Sequence, residues 1–260
     1  MLMVIRTLRI VGLLVVAAAV LYLLVCCLLW VFQRSLIYFP QPRAVGGAST
    51  VLELVRPDAK IMVSVRPHIG PNAMIYLGGN AEDVSLNLLP FSQAFPDQAL
   101  YLMHYRSFGG STGSPSEAAI TGDAEALFDT VYKEHSHVTV VGRSLGTGVA
   151  IHLASERPAA RLVLITPYNS LLQIGIDRMS LFPVKWMLRD TYESWRYAPL
   201  INAPTLLIVA QNDEIVPRAS TDALFSHFKS GVATMKIIPD SGHNTLSDSP
   251  LYLKMLGDGL

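Results

Sequence analysis

Gly142-Arg143-Ser144-Leu145-Gly146 sets a serine between two glycines, each two residues away. Two chemistries use glycine and serine this closely: a loop that cradles phosphate, and a nucleophile raised on a sharp turn. The phosphate loop requires G-x-x-x-x-G-K-[ST]. Here the residue five places after Gly142 is Thr147, and no lysine follows. G-x-G-x-x-G is absent as well. What remains is the G-x-S-x-G turn. The serine backbone is strained there, and neighbouring chains leave no room for side chains at the flanking positions. Such a turn lifts the Ser144 hydroxyl clear of its strand. It also puts the Leu145 N–H at a helix N-terminus, where developing negative charge is stabilised.

A serine hydroxyl is a weak nucleophile until a base takes its proton. The usual base is a histidine held by a carboxylate. Asp213 lies in AQNDEIVP and His243 in IIPDSGHNT, each just after an apolar β-rich run. The order Ser144, Asp213, His243 is the one such a turn calls for in a parallel α/β sheet. Glu214 adjoins Asp213, but the D-x-x-V-P pattern favours Asp213. Asp240 is too near His243 along the chain to orient it and reads as a turn cap. His135 and His137 hint at a metal but lack a third ligand at helical spacing. No metal or cofactor is expected. The other oxyanion donor belongs in Leu77-Gly78-Gly79-Asn80, where two glycines admit close approach. The Asn80 N–H is the first choice beside Leu145, and Gly79 the next. The plainer alternative is an ordinary glycine turn.

These residues need elements to carry them. Val51–Arg56 and Met62–His68 alternate and predict an opening antiparallel pair. AMIYL at 73–77, ALYLMHY at 99–105, VTVV at 138–141, LVLIT at 162–166, TLLIVA at 205–210 and TMKIIP at 234–239 are mostly continuous apolar runs. Such runs suit parallel strands buried on both faces. Helical patterns alternate with them: one opened by Ser114-Pro115-Ser116-Glu117, with Ser114 as cap, running to about Glu134; one after Ser144; one near 218–229; and a short one at the end. The expected class is α/β, an open and mostly parallel twisted sheet with helices on both faces. Its reactive residues lie in loops at the carboxyl ends of the strands.

Lys plus Arg equals Asp plus Glu, at 20 each, so no basic face points to nucleic acid. From Ile10 to Phe32 no residue is charged. About 23 helical residues span roughly 34 Å, enough to cross a bilayer core. The stretch exceeds the apolar region of a cleaved signal peptide, and cleavage after Ala17-Ala18-Ala19 would leave an apolar N-terminus. An uncleaved anchor is expected at residues 1–32, a juxtamembrane segment without regular structure at 33–50, and one domain at 51–260. Arg6, Arg9 and the N-terminal amine precede the span and Arg34 and Arg43 follow it, a balance that favours a cytoplasmic N-terminus, with the domain expected on the opposite side. Cys26 and Cys27, the only cysteines, lie inside the span and read as small apolar residues rather than acylation sites.

The chain resembles the membrane-anchored α/β-hydrolase-domain serine hydrolases, a group with depalmitoylases and lysophospholipases among its members. FQRSLIYFP, YLGGNAED, YRSFGGSTGSPSE, VVGRSLGTGVA, TPYNSL, DEIVP and SGHN carry the resemblance, over nearly all of residues 33–250. It implies the α/β-hydrolase fold with Ser144, Asp213 and His243 as triad, and leaves the substrate open. Relatives often carry His-Gly-Asn where this chain has Gly78-Gly79-Asn80. His243 and Asp248 match an H-x-x-x-x-D acyltransferase pattern, read here as coincidence.

A short cap is expected at about 168–202. Leu181, Phe182, Val184, Trp186, Met187 and Leu188 make it apolar, flanked by Lys185 and Arg189. Either this stripe faces a membrane and forms an acyl pocket, or it packs onto the sheet. The expected activity is cleavage of an ester or thioester, with a membrane lipid or an acylated molecule or protein as partner. An acyltransferase on the same triad and a non-catalytic tethered binding protein are the alternatives.

Overall fold

The computed structural model of the protein describes residues 2–45 and 50–260. Residues 46–49, part of the expected juxtamembrane segment, lie outside the described residues. Helix α1 (Leu2–Ile37) comes first. Eight strands follow: β1 (Val51–Val55), β2 (Lys60–Arg66), β3 (Asn72–Leu77), β4 (Ala99–Met103), β5 (His137–Arg143), β6 (Arg161–Ile165), β7 (Thr205–Ala210) and β8 (Ala233–Ile238). They form one sheet in the order β1-β2-β4-β3-β5-β6-β7-β8. The β1–β2 and β2–β4 pairs are antiparallel, and every later pair is parallel. The opening antiparallel pair and the parallel remainder are those expected from the strand patterns.

Why the central strands are apolar throughout is visible in β3. Ile75 and Leu77 enter one core, and Met74 and Tyr76 enter the other. Successive side chains of a strand point to opposite faces, so a strand covered on both faces needs apolar residues at every position. The first core takes α3 (Glu117–Val131), α4 (Leu145–Glu156) and α7 (Arg218–His227), through residues such as Leu127, Val149 and Leu224. The second takes α2 (Leu88–Ala94) and α8 (Leu251–Gly257), through Phe91 and Tyr252. The Phe91 and Tyr76 rings meet edge to face at 5.2 Å between centroids. Burying one such large side chain stabilises the fold by roughly 1.5–3 kcal/mol.

Three local expectations are corrected. Ser116, not Ser114, caps α3: its hydroxyl accepts from the Ala119 N–H. Glu117 does not turn back toward Ser114. Its carboxylate accepts the Thr191 and Tyr192 N–H groups instead, tying α3 to the region before β7. The juxtamembrane segment starts helical, since α1 continues through Gln33 and Arg34 to Ile37. Both polar side chains find partners at 187–190, and the first proline lies beyond the helix at Pro40. Finally, α2 arises where no helix was expected. Pro90 falls in its first turn, where a missing N–H costs nothing.

Between β6 and β7 the cap contains α5 (Leu171–Arg178) and α6 (Val184–Met187). It leans on α1. The Tyr22 ring stacks on Phe182 at 5.9 Å, and the Arg189 guanidinium lies 4.0 Å from the Trp30 ring. Gln33 donates to the Met187 carbonyl and accepts from the Arg189 N–H. Arg34 forms a two-bond ion pair with Asp190, and Tyr38 donates to the same carboxylate. The apolar stripe of the cap therefore divides. Phe182, Val184, Met187 and Leu188 line a hollow against α1, whereas Leu181 and Trp186 project outward.

Candidate active site

Ser144 occupies the junction of β5 and α4, at φ 49° and ψ −117°. This is a left-handed strained backbone for a residue with a Cβ. Glycine is required at both flanks. A Cβ at Gly142 would come within 2.5 Å of the Gly146 carbonyl, and one at Gly146 would collide with the Leu77 carbonyl of β3. The junction is held by Ser144 N–H donating to Ile165 at 2.9 Å and by Thr147 donating to the Ser144 carbonyl.

Asp213 lies in the loop after β7 and His243 in the loop after β8. The structure brings all three side chains together across 30 and 99 residues of sequence separation. His243 Nε2 is 2.8 Å from Ser144 Oγ, and His243 Nδ1 is 2.9 and 3.0 Å from the Asp213 oxygens. An ionised carboxylate only accepts, so Nδ1 carries the proton and Nε2 offers its lone pair to the serine. The Ile215 and Val216 N–H groups also donate to Asp213 Oδ1, which is the physical content of D-x-x-V-P. Burial pushes the Asp213 carboxyl up, but the bonds from His243, Val216 and Ile215 outweigh it and hold the group below the usual carboxylate range. Glu214 has a separate part: its carboxylate accepts the His243 backbone N–H at 3.0 Å. Asp240 has φ 52° in the turn after β8.

The two proposed oxyanion donors fare differently from Gly79. Asn80 and Leu145 line one cleft with Ser144, and among the described residues neither N–H has a hydrogen-bond acceptor. Gly79, the next choice, has its N–H taken by Glu82 Oε2 at 2.7 Å. The loop folds back on itself within three residues, and the carboxylate fills the place a substrate oxygen would need. The Gly78 position leaves no room for histidine either, since an added Cβ would meet Val84 Cγ1 at 2.5 Å.

Two groups of site residues were not foreseen. Glu82 accepts from Tyr76, Asn87 and Arg143 as well as from Gly79. Burial works against the Arg143 charge, but Tyr76 and Glu82 more than compensate and raise its pKa. The signal was present as an acid three places after Gly79 and the single basic residue inside G-x-S-x-G. The other group is the end of α1. Leu36, Ile37 and Phe39 form part of the cleft wall. The Asn80 side chain donates to the Ile37 carbonyl, and the Phe39 N–H donates to the Asn80 carbonyl. No sequence pattern links these positions.

The cleft encloses about 640 Å³. Leu171, Ile174, Ile215 and Val216 make the far wall apolar. Among the described residues no three His, Cys, Asp or Glu side chains converge to hold a metal ion. His135 is engaged by the Gly70 carbonyl and by Tyr101. Ser144, His243 and the Asn80 and Leu145 N–H groups, unpaired among the described residues, lie around one opening, with Asp213 behind the His243 ring. Together they can attack a carbonyl and hold the resulting oxyanion.

Comparison with known proteins bears on the same region. Residues 173–250 match the family model described as serine aminopeptidase, S33. An uncharacterised protein of Mycobacterium tuberculosis (strain H37Rv) is 32% identical over 238 residues, covering 83% of this chain and 82% of that one. Protein bem46 of Schizosaccharomyces pombe is 25% identical over 262 residues, covering 89% and 87%. Among solved structures, the Pyrococcus furiosus esterase Pf2001 superimposes with a TM-score of 0.65 at 19% identity, covering 84% of this chain and 97% of that one. That likeness is one of fold.

Proposed function

Because the chain belongs to the α/β-hydrolase-domain family, we propose that it is a membrane-anchored serine hydrolase cleaving esters or thioesters of lipophilic acyl groups. One observation carries this reading: the 2.8 Å contact of Ser144 Oγ with a His243 ring whose other nitrogen is clasped by Asp213. His243 takes the serine proton as Oγ attacks the carbonyl carbon. Asp213 keeps the ring in the required tautomer and stabilises the imidazolium that forms. The Asn80 and Leu145 N–H groups meet the oxyanion, each donor lowering the barrier by about 3 kcal/mol. His243 then protonates the leaving group. Water, activated by the same ring, releases the acyl group from Ser144.

Esters and thioesters are favoured over peptides by the charges at the cleft. An aminopeptidase needs an acid free to bind the substrate ammonium. Glu82 and Asp83, the acids among the described cleft residues, are engaged by the chain's own donors. Residues 2–32 supply the anchor: α1 is long and apolar enough to cross a bilayer. Arg6 and Arg9 at its start favour a cytoplasmic N-terminus, with residues 51–260 on the other side.

Labelling with a fluorophosphonate probe tests the reading. The full chain in detergent is expected to label, and Ser144→Ala is expected not to. A folded wild type that stays unlabelled would overturn the proposal and favour a tethered binding protein. Labelled protein that passes acyl groups to an alcohol faster than to water would make it a transferase.

A further inference from the structure

A second hollow, of about 160 Å³, lies between α1 and the cap. Leu29 and Leu36 close it from the helix, and Met179, Phe182 and Leu188 from the cap. Its lining is apolar apart from Gln33, whose amide is already bonded to Met187 and Arg189. Leu36, Ile37 and Leu171 belong to the walls of both this hollow and the catalytic cleft. The two spaces are neighbours that share these three residues as wall.

The depth of the hollow follows from the length of α1. A bilayer core of roughly 30 Å takes about 20 helical residues. Counted from Ile10, where the charge-free stretch starts, those residues end near Leu29 or Trp30. Yet the cap tip reaches Tyr22, which donates to the Leu181 carbonyl at 2.9 Å and stacks on Phe182. Eight residues at ~1.5 Å each put that contact about 12 Å inside the hydrocarbon boundary. The exposed side chains agree. Leu181, whose carbonyl Tyr22 holds, is 82% exposed and is immersed with it, whereas Trp186, 84% exposed, lies nearer the boundary, next to the Met187 that Gln33 holds. In a leaflet the Leu181 side chain is solvated by acyl chains, and Trp186 sits at the interface, where tryptophan is enriched.

We propose that α1 and the cap together form an acyl-chain channel that opens sideways into the leaflet and leads to Ser144. Its ligand is the long, unbranched acyl chain of a membrane-resident ester or thioester, which reaches the serine without leaving the bilayer. This rests on the serine-hydrolase reading above. The anchor is then one wall of the substrate site as well as a tether. The Tyr22, Trp30, Gln33 and Arg34 contacts hold that wall in place.

The test uses the full chain in phosphatidylcholine vesicles, with butanoyl, octanoyl, dodecanoyl and hexadecanoyl esters of one chromogenic alcohol. The wild type is expected to favour hexadecanoyl over butanoyl by about tenfold or more in kcat/KM. Leu29→Trp fills the hollow from the helix side, and Met179→Trp from the cap side. Each is expected to cut the hexadecanoyl-to-butanoyl ratio by about tenfold, corresponding to 1.4 kcal/mol. Fluorophosphonate labelling reports that each variant is folded. A ratio unchanged in both labelled variants would overturn the channel while leaving the hydrolase intact. No labelling of the wild type would remove both. Phosphatidylcholine brominated at the headgroup end of its acyl chains is expected to quench Trp186 in a Trp30→Phe, Trp195→Phe background. Failure to quench it would place the cap tip outside the leaflet and sink the sideways route.

Discussion

The Asn80 side-chain amide donates to the Ile37 carbonyl at 2.8 Å, joining the loop after β3 to the last residue of α1. The Phe39 N–H closes the same connection from the other side, onto the Asn80 carbonyl. A donor used in the transition state must point correctly before the charge develops. Here two bonds from the end of α1 hold the Asn80 backbone.

Asn80→Ala keeps the backbone N–H and loses its restraint. A net hydrogen bond is worth about 1 kcal/mol. We expect kcat to fall by roughly fivefold on a soluble short-chain ester, with KM little changed and thermal unfolding shifted by no more than a few degrees. An equal loss in Tm-matched conditions through KM alone would show that the loop binds substrate rather than the transition state.

Asp213→Asn preserves size and most contacts, but its amide can donate to His243 Nδ1 and favour the wrong tautomer. We expect a fall in kcat on the order of 10⁴-fold, with the fold retained. Steady-state kinetics against circular dichroism separates the two effects.

Glu82→Gln leaves Arg143 half-buried without its carboxylate and weakens the bonds to Gly79, Tyr76 and Asn87. Breaking such a pair costs about 3 kcal/mol or more. For a domain of this size the melting temperature should fall by roughly 6–12 °C. Held more weakly by the glutamine amide oxygen than by the carboxylate, the Gly79 N–H competes as a donor, so residual activity should be less selective among esters. Melting curves and a short ester panel check both outcomes.

His104 gives the fold an acid-sensitive point. It is buried with its Nε2 2.9 Å from Ser64 Oγ, and burial lowers its pKa from 6.5 to about 4, with nearby Asp83 opposing and Arg43 reinforcing the shift. The fold therefore favours the neutral ring, and the unfolded chain binds the extra proton. The stabilisation is complete above pH 6.5 and is lost as pH falls toward 4. The loss is about 3 kcal/mol, at 1.36 kcal/mol per pKa unit. His104→Gln keeps a partner for Ser64 and does not titrate. Its stability should vary less between pH 6.5 and 4 than that of the wild type, as read by urea unfolding at a series of pH values.

Much of this molecule is written locally in its sequence. Apolar runs at positions such as 73–77 and 205–210 require strands covered on both faces, because strand side chains alternate. Gly142 and Gly146 announce a turn too crowded for side chains, and the order Ser144, Asp213, His243 follows the strands that end beside each residue. The absence of charge from Ile10 to Phe32 sets the apolar core of α1. Each of these signals acts within a few residues, through periodicity, steric demand or charge. What only the tertiary structure decided lies between distant segments. Glu82 took the Gly79 N–H and left the Asn80 N–H unpaired among the described residues, Glu117 crossed to Thr191 while Ser116 became the cap, and the end of α1 became a wall of the cleft. Those outcomes depend on which polar groups meet once the sheet has folded. A buried donor or acceptor bonds whichever partner packing brings within about 3 Å, and that choice has no pattern along the chain.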